Sequence, residues 1–279
     1  MQRLLANFVG LFALLVGCTH IPPQPPKHSQ VSLVVAQSAV TPGSDVNVGI
    51  QFAVENGWHI YWQNPGDSGE PPRMQWQLPA GITAGAIEWP TPVRLTNPAG
   101  TDFGYEGTTV LLTALRIPAT AQPGTTLDVG GDLRWLVCHD ICVPQRTTLK
   151  APIHIADATS VDSSAQRVLQ TAAEHLPKSL PASFRPTVTS VGDALRVTLV
   201  PNQPVTQAQF FPAEPEQVDN GAPQELATQA GKLGLTLKKS EYLREEPSRL
   251  RGVLVFNGLD AYQLDVPIHL TKQKGSSSR

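Results

Sequence analysis

The chain has 279 residues, enough for two domains of ordinary size. Its 21 basic and 23 acidic residues nearly cancel and charged residues are only 16% of the total, so there is no basic stripe to suit nucleic acid and no acidic disordered tail. A hydrophobic content of 41% can fill a packed core, and 26 prolines with 22 glycines punctuate many short apolar runs, the pattern of a β-rich protein.

The N-terminus reads as a targeting segment. Arg3 supplies a short positive region, and the apolar run from Leu4 to Gly17 is interrupted only by Asn7. That run is shorter than the roughly 20 residues a bilayer-spanning helix requires. It ends in Leu15-Val16-Gly17-Cys18, which resembles the lipobox of bacterial lipoproteins. The resemblance implies lipidation of Cys18, with residues 1–18 as signal peptide. Thr19 stands where an Asp would favour inner-membrane retention, so an outer-membrane anchor is expected. Each buried CH₂ of the lipid contributes about 0.8 kcal/mol, and more than one chain makes anchoring stable. Residues 19–30 include IPPQPPKHSQ, a proline-rich tether that would hold the body off the membrane. The body is then expected on the periplasmic side, where disulfides persist.

From Val31 the pattern is strand-like. Val46, Val48, Ile50 and Phe52 alternate with Asn47, Gly49 and Gln51, the period of a half-buried strand. QNPGDSGEPP is a turn-rich loop, and TPVRLTNPAGTDFGYEG another rich in Pro and Gly. TVLLTALRIPA, TLDVGGDLRWLVC and TLKAPIHIA close the unit near residue 157. About seven strands in a unit of this length are the proportions of an immunoglobulin-like sandwich. The period then changes. Val161, Ala165, Val168, Leu169 and Ala172 recur at helical spacing, with Asp162 or Ser163 as N-cap and Pro177 beyond the end, which predicts a helix over 162–175 within a connector at 158–178. Strand patterns resume in ALRVTLVP, AQFFPAE, LGLTLKKS, RLRGVLVF and AYQLDVPIHL. The fold class expected is all-β: two immunoglobulin-like β-sandwich domains, 31–157 and 179–272, joined by a short helix, with a polar tail at 273–279.

With Cys18 assigned to lipid, Cys138 and Cys142 remain as an isolated pair in RWLVCHDICVPQ, at a connection between two strands. Residues so spaced reach the Cα separation of roughly 4.4–6.8 Å that a disulfide needs if the chain turns there. A ring this small would contribute about 2 kcal/mol as a staple, roughly half the value of a long-range bridge. Small exposed rings are also the exchangeable ones. Spacing alone leaves open a redox couple, a structural brace and a metal clip. For the metal reading, soft sulfur would suit Cu(I) at Cys138 and Cys142, with His139, His59, Met74 or His154 as further candidates. Scattered histidines and only two methionines argue against methionine-rich copper traffic.

WLVCHDICVP resembles the WLVC-x-x-x-C-x-P signature of the N-terminal periplasmic region of the thiol:disulfide interchange protein DsbD and its relative ScsB, the suppressor of copper sensitivity protein. GWHIYWQNPGDSGEPPRMQWQLPAG, IEWPTPVRL, FGYEGTTVLL, AQFFPAE and AYQLDVPI are similar to stretches of the same family, over about residues 30–270. The resemblance implies a thiol–disulfide exchange protein with Cys138 and Cys142 as redox cysteines and no cofactor. Its partners would be a thioredoxin-like redox protein or membrane electron donor and disulfide-containing periplasmic proteins, with no nucleic acid. It further implies a cap loop over Asn97–Glu106, with Phe103 or Tyr105 as shielding aromatic and Asp102 and Glu106 as acidic groups near the pair. A carboxylate would raise a thiol pKa and a cationic His139 would lower it. By resemblance, Cys142 is the sulfur attacked first. The best-known members continue into a multi-helix membrane domain and a thioredoxin domain. Neither is present in these 279 residues, so a separate reductant is expected.

Trp58, His59, Tyr61 and Trp62 precede NPGDSG. They could line the site, Tyr61 among them, although sandwich core is the plainer use of such residues. Asp67 and Ser68 could face the site or serve the turn. GDSG lacks the His and Asp partners of a serine protease.

Overall fold

A computed structural model describes residues 27–98 and 100–270. The lipobox with Cys18, the first part of the tether and the polar tail lie outside the described residues. The architecture is all-β with one α-helix among the described residues.

Two sheets build the first half. A four-stranded sheet runs in the order Ser29–Val35, Asp45–Val54, Thr108–Arg116, Thr83–Ala84. A larger sheet runs Ser160–Val161, Gln37–Val40, Cys142–Ile155, Thr126–Cys138, His59–Gly66, Gly100–Glu106, Val93–Asn97, with Arg73–Trp76 beside Thr126–Cys138. The sheets pack face to face. Ile50, Phe52 and Leu111 of one meet Ile60, Trp62, Leu133 and Trp135 of the other in a common core. The alternation read at Val46, Val48, Ile50 and Phe52 is real: all four are fully buried.

The helix spans Ser163–Glu174, and the Asp162 carboxylate caps it by accepting from the Ser164 and Ala165 amides. It does more than connect. Leu169 and Ala172 pack with Ala36, Val110 and Leu112 on the outer face of the four-stranded sheet. Gly49 permits that approach, because a Cβ there would lie 2.6 Å from Leu169 Cδ2. This is why an outward position of an otherwise alternating strand has no side chain.

In the second half, seven strands follow one path: Ala208–Pro212, Arg249–Phe256, Asp260–Leu270, Thr187–Val191, Ala194–Leu199, Lys232–Lys238, Glu225–Gln229, with an eighth, Lys178–Ser179, beside Asp260–Leu270. Asp260–Leu270 pairs with Arg249–Phe256 along most of its length and with Thr187–Val191 at Ile268–Leu270. The path folds over one core, in which Leu195, Val197 and Leu235 meet Phe210, Leu254 and Phe256.

The halves touch. Phe211 packs edge-on to Phe103 at 5.4 Å between ring centroids and to Trp62 at 6.5 Å. Asn64 Nδ2 donates to the Pro212 carbonyl, Arg94 to the Asn220 carbonyl, and Asn220 Nδ2 to Asp67 Oδ1. The boundary expected at 158–178 is therefore bridged by a shared apolar cluster.

Candidate functional site

Strands Thr126–Cys138 and Cys142–Ile155 form a hairpin paired without a break from Thr126–His154 to Cys138–Cys142. Its tip is His139, Asp140 and Ile141, closed by the His139 amide donating to the Ile141 carbonyl. The register leaves the two cysteines directly opposite, with Cα atoms 4.1 Å apart, and they are joined as a disulfide. Their surroundings differ. Cys138 is 1% exposed, whereas Cys142 is exposed and Ile141 beside it is 66% exposed.

Strand alternation sorts the residues around the disulfide. Cys138 pairs with His59, and His59 pairs with Glu106 across the next ladder. Residues two apart share a face, so His59 and Tyr61 stand on the side of the cysteines while Ile60 and Trp62 enter the core. The Tyr61 hydroxyl lies 3.5 Å from Cys142 Sγ, and its ring meets His59 edge-on at 5.2 Å. Burial raises the Tyr61 pKa, partly offset by a hydrogen bond with Ser68. Burial lowers the His59 pKa against the opposing fields of Asp102 and Glu106.

The same alternation divides the four residues expected in the cap. Asp102 and Glu106 belong to the face of the cysteines. Phe103 and Tyr105 point the other way, into the core, with the Tyr105 hydroxyl donating to the Pro90 carbonyl. A shielding role for Phe103 or Tyr105 does not fit this placement: consecutive strand residues cannot share one face. The segment covering Tyr61 is instead the loop after Gly66. Gly69, at φ +79°, sits so close to the Tyr61 ring that any Cβ would overlap it. Asp102 holds that loop. Its carboxylate accepts from the Ser68 amide and hydroxyl, both at 2.9 Å, and from Asn97 Nδ2 at 2.6 Å. Asp67 ties the loop's other side, accepting from the Thr101 amide at 2.7 Å.

His139 is half exposed at the tip, 3.0 Å from the Asp140 carboxylate and beside Trp58 at 5.9 Å. Trp58 in turn stacks on His28 at 3.6 Å. A cleft of about 1290 Å³ lies between the helix, Arg94 and Phe211, and neither cysteine lines it. Among the described residues no group of three or more His, Cys, Asp or Glu is placed to hold a metal ion, and no helix there is long and apolar enough to cross a membrane.

The sequence offers Trp58, His59, Tyr61 and Trp62 together as site lining or core, with His59 also as a metal ligand, and Ser68 mainly as turn chemistry, so it does not separate His59 and Tyr61 from their neighbours. The signal available was parity: in WHIYW, the face that takes Ile60 and Trp62 into the core leaves His59 and Tyr61 together on the other side.

Residues 30–153 match the family model described as thiol:disulfide interchange protein DsbD, N-terminal. No curated protein sequence matches. Among solved structures, the N-terminal periplasmic domain of ScsB from Proteus mirabilis superposes with a TM-score of 0.67 at 17% identity, covering 90% of this chain and 97% of that one. A 35 kDa C-terminal fragment of the major pilin GBS80 of Streptococcus agalactiae (8% identity, 86% and 91% covered, TM-score 0.28) and the tandem Ig repeats of Dlar (10% identity, 87% and 98% covered, TM-score 0.22) superpose too poorly to bear on the fold. The ScsB match extends the shared fold beyond the family segment. With its disulfide at the hairpin tip, the segment 30–153 belongs to the family of the N-terminal domain of the thiol:disulfide interchange protein DsbD.

Proposed function

We propose that the protein exchanges thiols and disulfides in the periplasm, relaying electrons between a thioredoxin-like reductant or membrane donor and disulfide-containing proteins through Cys138 and Cys142. One observation carries the reading: within a domain of this family, the disulfide closes a hairpin tip with one residue exposed and the other buried. A structural brace has little use for such asymmetry, whereas exchange requires it. An incoming thiolate attacks an accessible sulfur and expels the other. Exposure favours Cys142 as the attacked sulfur and Cys138 as the leaving and resolving one. Ile141, exposed beside Cys142, gives a docking partner an apolar contact. The lipobox at Cys18 supports tethering of this body to a membrane by lipid, with Thr19 favouring the outer one.

The test is the reduction potential of the couple, measured by equilibration in thiol buffers, trapping of free thiols and reading of the mass shift. A potential well above about −300 mV is expected, in the range of exchangeable couples. A lower value, with no thioredoxin-like protein able to reduce the pair, would make it a brace and end the proposal.

A further inference from the structure

Four residues on four neighbouring strand segments stand in one row across the sheet. Cys142 faces Cys138, Cys138 faces His59, and His59 faces Glu106. Residues directly opposite in antiparallel ladders share a face, with Cβ atoms about 4.5–5.5 Å apart. The row therefore reads disulfide, imidazole, carboxylate, the order of a nucleophile, its base and the group that orients the base. His59 is 9% exposed, and its Nε2 is buried with no hydrogen-bond partner among the described residues. A buried ring nitrogen left unpaired costs free energy, which is a reason to look for a partner that arrives during reaction. Reduction of the disulfide supplies one, since it places a thiol on Cys138 at the adjacent position of the row.

We propose that His59 carries the proton of Cys138 during exchange, with Glu106 orienting and polarising the imidazole from the far side. This rests on the exchange reading. In the oxidative half, the Cys142 thiolate attacks a substrate disulfide, forming a mixed disulfide and releasing the first substrate thiolate. Cys138 then attacks Cys142 Sγ while its thiol proton passes to His59 Nε2. The Cys138–Cys142 bond forms, the bond from Cys142 to the substrate sulfur breaks, and the second substrate thiolate leaves with the electron pair. His59 then sheds its proton to solvent. Both cysteine sulfurs are oxidised and two substrate sulfurs reduced. In the reductive half the partner's thiolate bonds to Cys142 and expels Cys138 as a thiolate, which takes a proton that His59 relays from solvent; the partner's second thiolate then releases Cys142 and closes the partner's own disulfide.

The groups facing His59 are Cys138, Tyr61, Asp102, Glu106 and His139. Burial outweighs the two carboxylates and holds the imidazole below its ordinary value of 6.5, so it is in the accepting form at neutral pH.

The experiment follows thiolate release when the reduced full-length protein meets an excess of the chromogenic disulfide dithiobis(nitrobenzoate). The first phase reports mixed-disulfide formation at Cys142, the second ring closure by Cys138. His59→Gln should leave the first phase within about two-fold and slow the second at least about ten-fold at neutral pH, a modest share of what a positioned base supplies. The second phase should then rise with pH as an unassisted thiol does. Glu106→Gln, at an exposed position, should move the second-phase midpoint to lower pH, because the carboxylate that favours the imidazolium is gone. An unchanged second phase in both variants overturns the proposal. If near-UV circular dichroism shows that His59→Gln is unfolded, Glu106→Gln decides alone, and an unmoved midpoint overturns it. If the unsubstituted protein shows no first phase, the exchange reading itself fails and this inference falls with it.

Discussion

Replacing Asp102 with alanine tests whether the loop after Gly66 protects the site. The carboxylate is 1% exposed and accepts three hydrogen bonds, from the Ser68 amide, the Ser68 hydroxyl and Asn97 Nδ2. Hydrogen bonds to a charged group contribute about 1.5–3 kcal/mol each, and bonds sharing one acceptor do not add fully, so the total loss is about 4 kcal/mol. For a chain of this size that lowers Tm by about 8–16 °C. Two of the three bonds hold the loop directly. If only about 1.4 kcal/mol of the loss falls on loop closure, the open population rises about ten-fold. The assay is reduction of the Cys138–Cys142 disulfide by dithiothreitol, quenched by alkylation and read by mass, beside a thermal melt. The expected result is a lower Tm and reduction about ten-fold faster. A lower Tm with an unchanged reduction rate would refute the loop's part in guarding Tyr61 and the disulfide. No change in either would refute the energetic reasoning altogether.

Cys138→Ser should trap a mixed disulfide with a thioredoxin-like protein, seen as a mass adduct, because exposed Cys142 remains; Cys142→Ser should trap little. Gly69→Ala combines a left-handed backbone with overlap on the Tyr61 ring, so a loss of at least about 1–3 kcal/mol in denaturant unfolding is expected. The Asp162 carboxyl is held below its ordinary value by the hydroxyl of Ser164 and then by the Ser164 and Ala165 amides. Its capping is therefore fully present above the unfolded value of about 3.8 and is lost as pH falls through the lower folded value. Amide exchange in the first turn of the helix should accelerate in that acid window, and Asp162→Ala should show the faster exchange at neutral pH as well.

The strands of the first half were legible because they are half-buried and alternate; Val46 to Phe52 is the plainest case. The helix was legible from its period and its cap, but its docking was not, since only Gly49 hints that something lies against that face. The cysteine pair was legible from spacing and its surrounding words. The cap was harder. DFGYE was read as one lining segment, yet a strand must send Asp102 and Glu106 one way and Phe103 and Tyr105 the other. Which face held the cysteines depended on pairing Glu106 with His59 and His59 with Cys138, contacts between distant parts of the chain. The loop over Tyr61 was hidden for the same reason, because its anchor, Asp102, lies far along the sequence from Ser68.

The packing of Phe211 against both Trp62 and Phe103 has a practical meaning for dissecting the protein. A fragment ending near residue 157 would keep both cysteines but would lose the ring packed on Trp62 and Phe103, together with the Asn220 amide that holds Asp67. Trp62 lies in the strand that carries His59 and Tyr61, and Asp67 anchors the loop above them. An excised redox half would therefore carry a wet flank and a slack lid. The far half acts as a keystone for the site without contributing an atom to its chemistry.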